Sequence, residues 1–208
     1  MDRVGKYVAR ARRLHQSGES GGNRHIVFMM IDVDHFKQIN DRYGHDIGDQ
    51  ILVAQSRLIQ SQLRETDDLI RWGGEEFLVV ARHAEIDQCW RIAERIVRAA
   101  SEQLLQVDGV EEPLRATCSA GLACYPFHHD QPNCLDWEDV VKLADQAVYQ
   151  AKSRGRNGWV WISPGPNFDP QATADFGLRL RNELPGMQAA GEIVLRTSSD
   201  ADTSSPGL

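Results

Sequence analysis

Three acids in this sequence stand where a chain could hold a divalent cation. Asp32 closes a short apolar run, Ile26 to Ile31, and Glu75 and Glu76 follow the pair Gly73-Gly74. A carboxylate at the end of a buried strand is fixed by rigid backbone and opens at the sheet edge, where ligands collect. If the glycine pair turns a hairpin that lies beside that strand, Asp32 and Glu75 converge. Two ionised carboxylates at close range are unfavourable unless a cation lies between them. Hard oxygen ligands with phosphates nearby favour Mg²⁺ or Mn²⁺ over zinc. The plainer reading makes Asp32 and Asp34 the start of a turn and the glutamates strand-edge charges. Taken alone, either segment favours that plainer reading.

The elements that must position these acids are legible in outline. Ile26–Ile31 is short, apolar and partly β-branched, the pattern of a strand buried on both faces. Residues 69–72 and 76–80 flank Gly73-Gly74, which signals a hairpin whose tight turn takes positive φ at the glycines. Val4, Val8, Ala11 and Leu14 mark a helix over 3–14 whose other faces carry Arg3, Lys6, Arg10, Arg12 and Arg13, a solvated basic helix. Residues 17–23 read as a flexible loop. A helix begins near Asp46, which suits its N-cap, with Ile47, Ile51, Ala54 and Leu58 on one stripe. Ile86, Trp90, Ala93, Val97, Ala100 and Leu104 mark another helix. Residues 115–125 read as a strand, 137–153 as a helix closed by Gly155, and Trp159–Ile162 as a last strand. From Ser163 onward Pro, Gly, Ser and Thr dominate without period, so 1–162 is the expected domain and 163–208 a disordered tail. Irregular alternation around a central hairpin points to an α+β fold, a mixed or antiparallel sheet flanked by helices.

Asp32-Val33-Asp34-His35-Phe36-Lys37-Gln38-Ile39-Asn40-Asp41, followed by Gly73-Gly74-Glu75-Glu76-Phe77, resembles the GGDEF family of diguanylate cyclases, with Glu at the third motif position. The similarity continues through residues 43–49 and 144–152 and into Gly155-Arg156-Asn157, covering roughly residues 1–162. Several spaced motifs in order carry more weight than GGEEF alone. The resemblance implies a nucleotidyl-cyclase or polymerase-palm-like fold. It also implies condensation of two GTP molecules into cyclic di-GMP and two pyrophosphates at a homodimer interface.

By that resemblance Asp32, the Val33 carbonyl and Glu75 are metal ligands, Glu76 assists them, and two Mg²⁺ or Mn²⁺ ions serve each site. Asp32, Glu75 and Lys37 are the expected catalytic residues. Phe36, Lys37, Gly73, Gly74, Lys152 and Arg156 are expected to contact the triphosphate, although cations in the last turn of a helix are also favoured by its dipole. Asn40 and Asp49 match the family's guanine-reading pair. A carboxylate accepts from guanine's N1–H and 2-amino group, and adenine offers neither donor. Simpler roles are a turn residue for Asn40 and a helix-dipole acid for Asp49. Arg64-Glu65-Thr66-Asp67 resembles the family's R-x-x-D inhibitory site for cyclic di-GMP, with Arg95 as a secondary contact. The family usually opens with a D-x-L-T-G-L-x-N-R-R stretch, and nothing like it precedes Val4. The chain is therefore expected to start just past that point, without the partner domains that commonly enforce the dimer.

Lys and Arg total 23 against 30 Asp and Glu, a net charge of −7, which lacks the basic footprint of a nucleic-acid binder. No apolar run approaches the ~20 residues of a membrane helix. Nor is there a secretory signal, so the four cysteines, too widely spaced for a metal knuckle, are expected to stay reduced in the cytoplasm. His45, His128 and His129 have no second ligand at metal spacing, and the five tryptophans read as core. Two other functions fit the same acids less well: a non-enzymatic receptor for GTP or cyclic di-GMP, and a mononucleotide cyclase on the same fold.

Overall fold

The computed structural model describes residues 2–16, 25–84, 86–173 and 175–202. The loop expected at 17–23 lies outside them, as do the side chains of Arg3, Arg12 and Leu14. The described elements run α1 (Asp2–Gln16), β1 (His25–Val33), α2 (Phe36–Tyr43), α3 (His45–Ser61), β2 (Asp68–Arg71) and β3 (Glu76–Ala84). After a 3₁₀ turn at Ile86–Gln88 come α4 (Trp90–Glu102), β4 (Cys118–Tyr125), α5 (Trp137–Ser153), β5 (Trp159–Pro164), α6 (Phe176–Ala189), β6 (Ile193–Thr197) and α7 (Ser198–Asp202).

The strands form a six-stranded sheet in the order β2-β3-β1-β4-β5-β6. All neighbours are antiparallel except β4 and β5, so the sheet is mixed, as the irregular alternation of elements requires. β1 is central and buried along nearly its whole length, which explains why its sequence is continuously apolar rather than alternating. Phe28 and Met30 face a core built with α1, α5 and α6. Val27, Met29, Ile31 and Val33 face the opposite core, built with α2, α3 and α4. The end of this well-anchored strand carries Asp32.

Helix α5 packs unusually close to β4. A methyl group added at Gly121 would lie 2.1 Å from the Ala144 carbonyl oxygen and 2.2 Å from the Val148 nitrogen, so only glycine lets these two backbones approach. This contact fixes the helix that carries Lys152.

Four local expectations are corrected. Asp46 is in the first turn of α3 rather than its N-cap; Gly44, with φ of 88°, precedes the helix, which starts at His45. The helix predicted from Ile86 begins at Trp90, because residues 86–88 wind more tightly. Trp72 is 40% exposed and is not core, since it opens the hairpin loop beyond the sheet. The fourth correction concerns residues 163–202, which are not a disordered tail. Phe176, Leu180, Leu184 and Met187, at steps of four, four and three, form one buried stripe of α6. β6 then pairs with β5 from Val160↔Thr197 to Pro164↔Ile193. Pro185 and three glycines in the neighbourhood of α6 disguised that stripe as loop composition.

Candidate active site

The register between β1 and β3 decides where the acids meet. Asp32 is the cross-strand partner of Glu76, and the pairing reaches one residue further, where the Val33 N–H donates to the Glu75 carbonyl at 3.3 Å. Glu75 is thereby held beside Val33, and the acid ending β1 faces the acids ending the hairpin. The hairpin loop is closed by the Trp72 N–H donating to the Glu76 carbonyl at 2.9 Å, and the Arg71 guanidinium braces it by donating to the Gly74 carbonyl at 2.9 Å.

The glycine pair works differently from the expectation. Neither Gly73 nor Gly74 is among the positive-φ glycines, so the turn is a wider loop rather than a tight primed one. Gly73 is needed for space: a methyl group there would lie 2.5 Å from Glu76 Oε2. Its N–H is also committed, donating to the Glu76 carbonyl at 3.3 Å.

The electrostatics follow from this crowding. Asp32 is only 7% exposed, and its carboxyl is pushed above the usual carboxylate range by burial, with Glu75 and Asp34 adding to the rise. Lys152 opposes the shift, its ammonium standing 2.6 Å from Asp32 Oδ2. Glu76 is raised as well, by burial first and then by the charges of Asp32, Asp145 and Glu75. Asp145 is an acid that the sequence reading passed over. Its signal was available, since it lies in the 144–152 segment that carries the resemblance.

The Asp32 and Glu75 carboxylates and the Val33 carbonyl are hard-oxygen donors of the kind that suit Mg²⁺ or Mn²⁺. Among the described residues, no three Asp, Glu, His or Cys side chains converge as a ready metal cluster. Burial raises Asp32 and Glu76 first and neighbouring carboxylates add to it, and a cation would relieve the part due to those like charges.

Beside the acids, Phe36 is buried at the start of α2 and Lys37 is exposed one residue on. Asn40, on the same helix, faces Gly48 of α3 so closely that a methyl group there would lie 1.9 Å from Asn40 Oδ1. That oxygen is buried and has no hydrogen-bond partner among the described residues. A buried acceptor without a donor costs about 1–3 kcal/mol, and a ligand donor would recover it. Asp49, exposed, follows Gly48 directly in α3. Lys152 ends α5 at Asp32, and the exposed Arg156 follows in a turn where Gly155, Arg156 and Asn157 all have positive φ.

The R-x-x-D residues lie elsewhere, in the connection from α3 to β2. Arg64 is exposed, whereas Asp67 is buried with both carboxylate oxygens occupied. Oδ2 accepts the Arg64 N–H at 3.0 Å and Oδ1 accepts the Arg82 N–H at 3.2 Å. The Arg95 guanidinium of α4 donates to the Gln62 carbonyl, which brings it to the same connection.

A family model described as GGDEF, the diguanylate cyclase GGDEF domain, matches residues 9–158. The chain belongs to the GGDEF family. Diguanylate cyclase A of Treponema denticola is 35% identical over 144 residues, covering 69% of this chain and 36% of that protein. The response regulator PleD of Caulobacter vibrioides is 39% identical over 139 residues, covering 67% of this chain and 30% of that protein. This GGDEF domain thus spans only about a third of the length of those relatives. Among solved structures, the active GGEEF domain of a Vibrio cholerae diguanylate cyclase is 33% identical with a TM-score of 0.61, covering 73% of this chain and 86% of that one. The GGDEF domain of DgcB from Caulobacter crescentus, solved in complex with c-di-GMP, is 28% identical with a TM-score of 0.62, covering 74% and 85%. The GGDEF match ends at residue 158, so α6, β6 and α7 lie beyond it.

Proposed function

We propose that this chain is a diguanylate cyclase that condenses two GTP molecules into cyclic di-GMP and two pyrophosphates. The observation that supports this most is the meeting of Asp32, Val33 and Glu75 at the end of the β1–β3 ladder. Asp32, Glu75 and the Val33 carbonyl would hold the two divalent cations, with Glu76 assisting. When bound, such cations lower the pKa of a 3′-hydroxyl and neutralise charge on a leaving pyrophosphate.

The chain's own residues do the rest. Lys37, Lys152 and Arg156 offer cations to the triphosphate, and Phe36 and Gly74 present main chain to it, while Gly73 keeps the loop free of a side chain. Asn40 Oδ1 and the Asp49 carboxylate accept from the guanine edge. Two subunits face each other, each with one GTP. The O3′–Pα bond forms as the Pα–O bond to pyrophosphate breaks, and the hydroxyl proton passes to solvent. Incubation with GTP and Mg²⁺ across a dilution series, with the product identified by mass, tests this reading. Cyclic di-GMP, with specific activity rising with protein concentration, is expected. Binding of GTP without turnover at high concentration would instead leave a receptor.

The orphaned Asn40 oxygen gives a specificity prediction. Asn40→Ala should lower kcat/KM for GTP by about 10–100-fold, from one lost pairing to a buried acceptor. Because the deleted atom is already unpaired in the protein alone, Tm should not fall. A fall in Tm with unchanged kcat/KM would show that Asn40 only packs.

For product feedback through Arg64, Asp67 and Arg95, the two motif residues should separate. Arg64→Ala should weaken inhibition by cyclic di-GMP about tenfold or more without changing Tm, since it is an exposed charged donor. Asp67→Ala strands two main-chain N–H groups and should cost about 1–3 kcal/mol of stability in urea titration. Unchanged inhibition in Arg64→Ala would remove the feedback site.

A further inference from the structure

Asp34 is the most buried acid near the site, 3% exposed, and none of the roles above uses it. It stands two residues beyond Asp32, just past the end of β1. Its Oδ1 accepts from the Ser119 hydroxyl at 2.7 Å. Its Oδ2 accepts from the Thr117 hydroxyl at 2.8 Å and from the Asn157 N–H at 3.0 Å. Its own N–H donates to the Thr117 carbonyl at 2.9 Å. One carboxylate therefore ties together three stretches of chain: the end of β1, the start of β4 and the turn after α5. The partners are 83, 85 and 123 residues away in sequence.

The third of these ties is the telling one. Hydroxyls of Thr117 and Ser119 can rotate to other acceptors, but the Asn157 N–H points where the backbone sends it. Asn157 and Arg156 both hold left-handed φ, 45° and 62°, a conformation that costs free energy outside glycine and persists only when something fixes it. The Arg156 N–H is held to α5, donating to the Ala151 carbonyl at 3.1 Å, and the Asp34 carboxylate supplies the bond that fixes Asn157 to β1. It ties the turn that carries Arg156 to the end of β1, next to the end of α5 where Lys152 meets Asp32.

We infer that Asp34 is a positioning residue for nucleotide phosphate: it locks the 155–157 turn to the metal-binding end of β1 and so places Arg156 on the triphosphate. This rests on the GTP reading of the site given above. Asp34→Asn keeps the size of the side chain but sets an amino group or a weaker acceptor against the Asn157 N–H. The expected result is a rise of about tenfold or more in the Kd for 3′-deoxy-GTP, an analogue without the attacking hydroxyl, measured by calorimetry with Mg²⁺. The matching rise should appear in KM for GTP, with kcat changed less than KM.

The decisive comparison is a double-mutant cycle with Arg156→Ala. If Asp34 acts through the turn, Asp34→Asn adds little to the Kd of the Arg156→Ala protein. A merely structural role would lower Tm and the active fraction while leaving Kd in the folded protein as it was. The inference is overturned if Asp34→Asn binds the analogue like the unaltered protein, or if the two substitutions multiply. Should the unaltered protein itself fail to bind the analogue, the GTP reading falls and this inference with it. Binding by the unaltered protein together with an unaffected variant sinks this inference alone.

Discussion

Glu75→Ala should reduce cyclic di-GMP synthesis by about 10³-fold or more. Loss of a direct metal ligand removes several kcal/mol of transition-state stabilisation, and each 1.36 kcal/mol is about tenfold in rate. In the proposed site its side chain is one of the two carboxylates that hold the cations directly, and Glu76, which only assists, replaces it poorly. The same change should leave the protein at least as stable in metal-free buffer. Glu75 helps push the Asp32 carboxyl up, which means that the two negative groups repel in the folded state. Deleting one relieves that repulsion. Steady-state rates and Tm measured on one preparation check both halves. A substantial residual rate would move the metal site away from the end of the β1–β3 ladder, whereas a large fall in Tm would make Glu75 a structural residue.

Gly121→Ala should be among the most destabilising single substitutions in the chain, costing about 3 kcal/mol, at the upper end of what overpacking a core produces. The added methyl group meets the Ala144 carbonyl and the Val148 nitrogen, and neither can turn aside as a flexible side chain would. β4 and α5 must separate, which loosens the apolar contacts of Val140, Leu143, Ala144, Ala147 and Val148 with the sheet. For a chain of this size the loss corresponds to a Tm lower by roughly 6–12 °C. Thermal and urea unfolding measure it, and an unchanged Tm would mean that the helix–sheet approach is looser than described. The helix that shifts carries Lys152, so KM for GTP should rise in whatever fraction stays folded.

What could be read from the sequence followed physical regularities that act over short range. The pleat of β1, the glycine pair and the stripe of α5 placed Asp32, Glu75 and Lys152 on elements of the right kind. Their convergence still depended on which strand lay beside β1, and the β1–β3 pairing supplied it. Gly73 was noticed for the wrong reason, because the hairpin loop uses its lack of a side chain to admit Glu76 rather than its freedom in φ. Asp34 was visible only as a turn former. Its partners come from β4 and from the far side of α5, and no local pattern announces a bond across 123 residues. Residues 163–202 were misjudged because composition outweighed spacing. The stripe Phe176, Leu180, Leu184, Met187 was present, diluted by proline and glycine and lacking strong polar contrast on the other faces.

The pairing of β6 with β5 bears on how this domain can be handled. Strand β5 is parallel to β4 on its inner side, and on its outer side its peptide groups are met by Ile193–Thr197. Trimming the protein just past Pro164 would strip that outer row and leave Trp159–Pro164 as an unfinished border, and trimming it to residues 9–158 would remove β5 as well and bare β4. Bare strand borders recruit strands from other molecules. Phe176, Leu180, Leu184 and Met187 would leave with the trimmed piece, uncovering greasy surface on α5 at the same time. A shortened fragment would therefore tend to polymerise, and its poor solubility would say nothing about whether the nucleotide chemistry is intact.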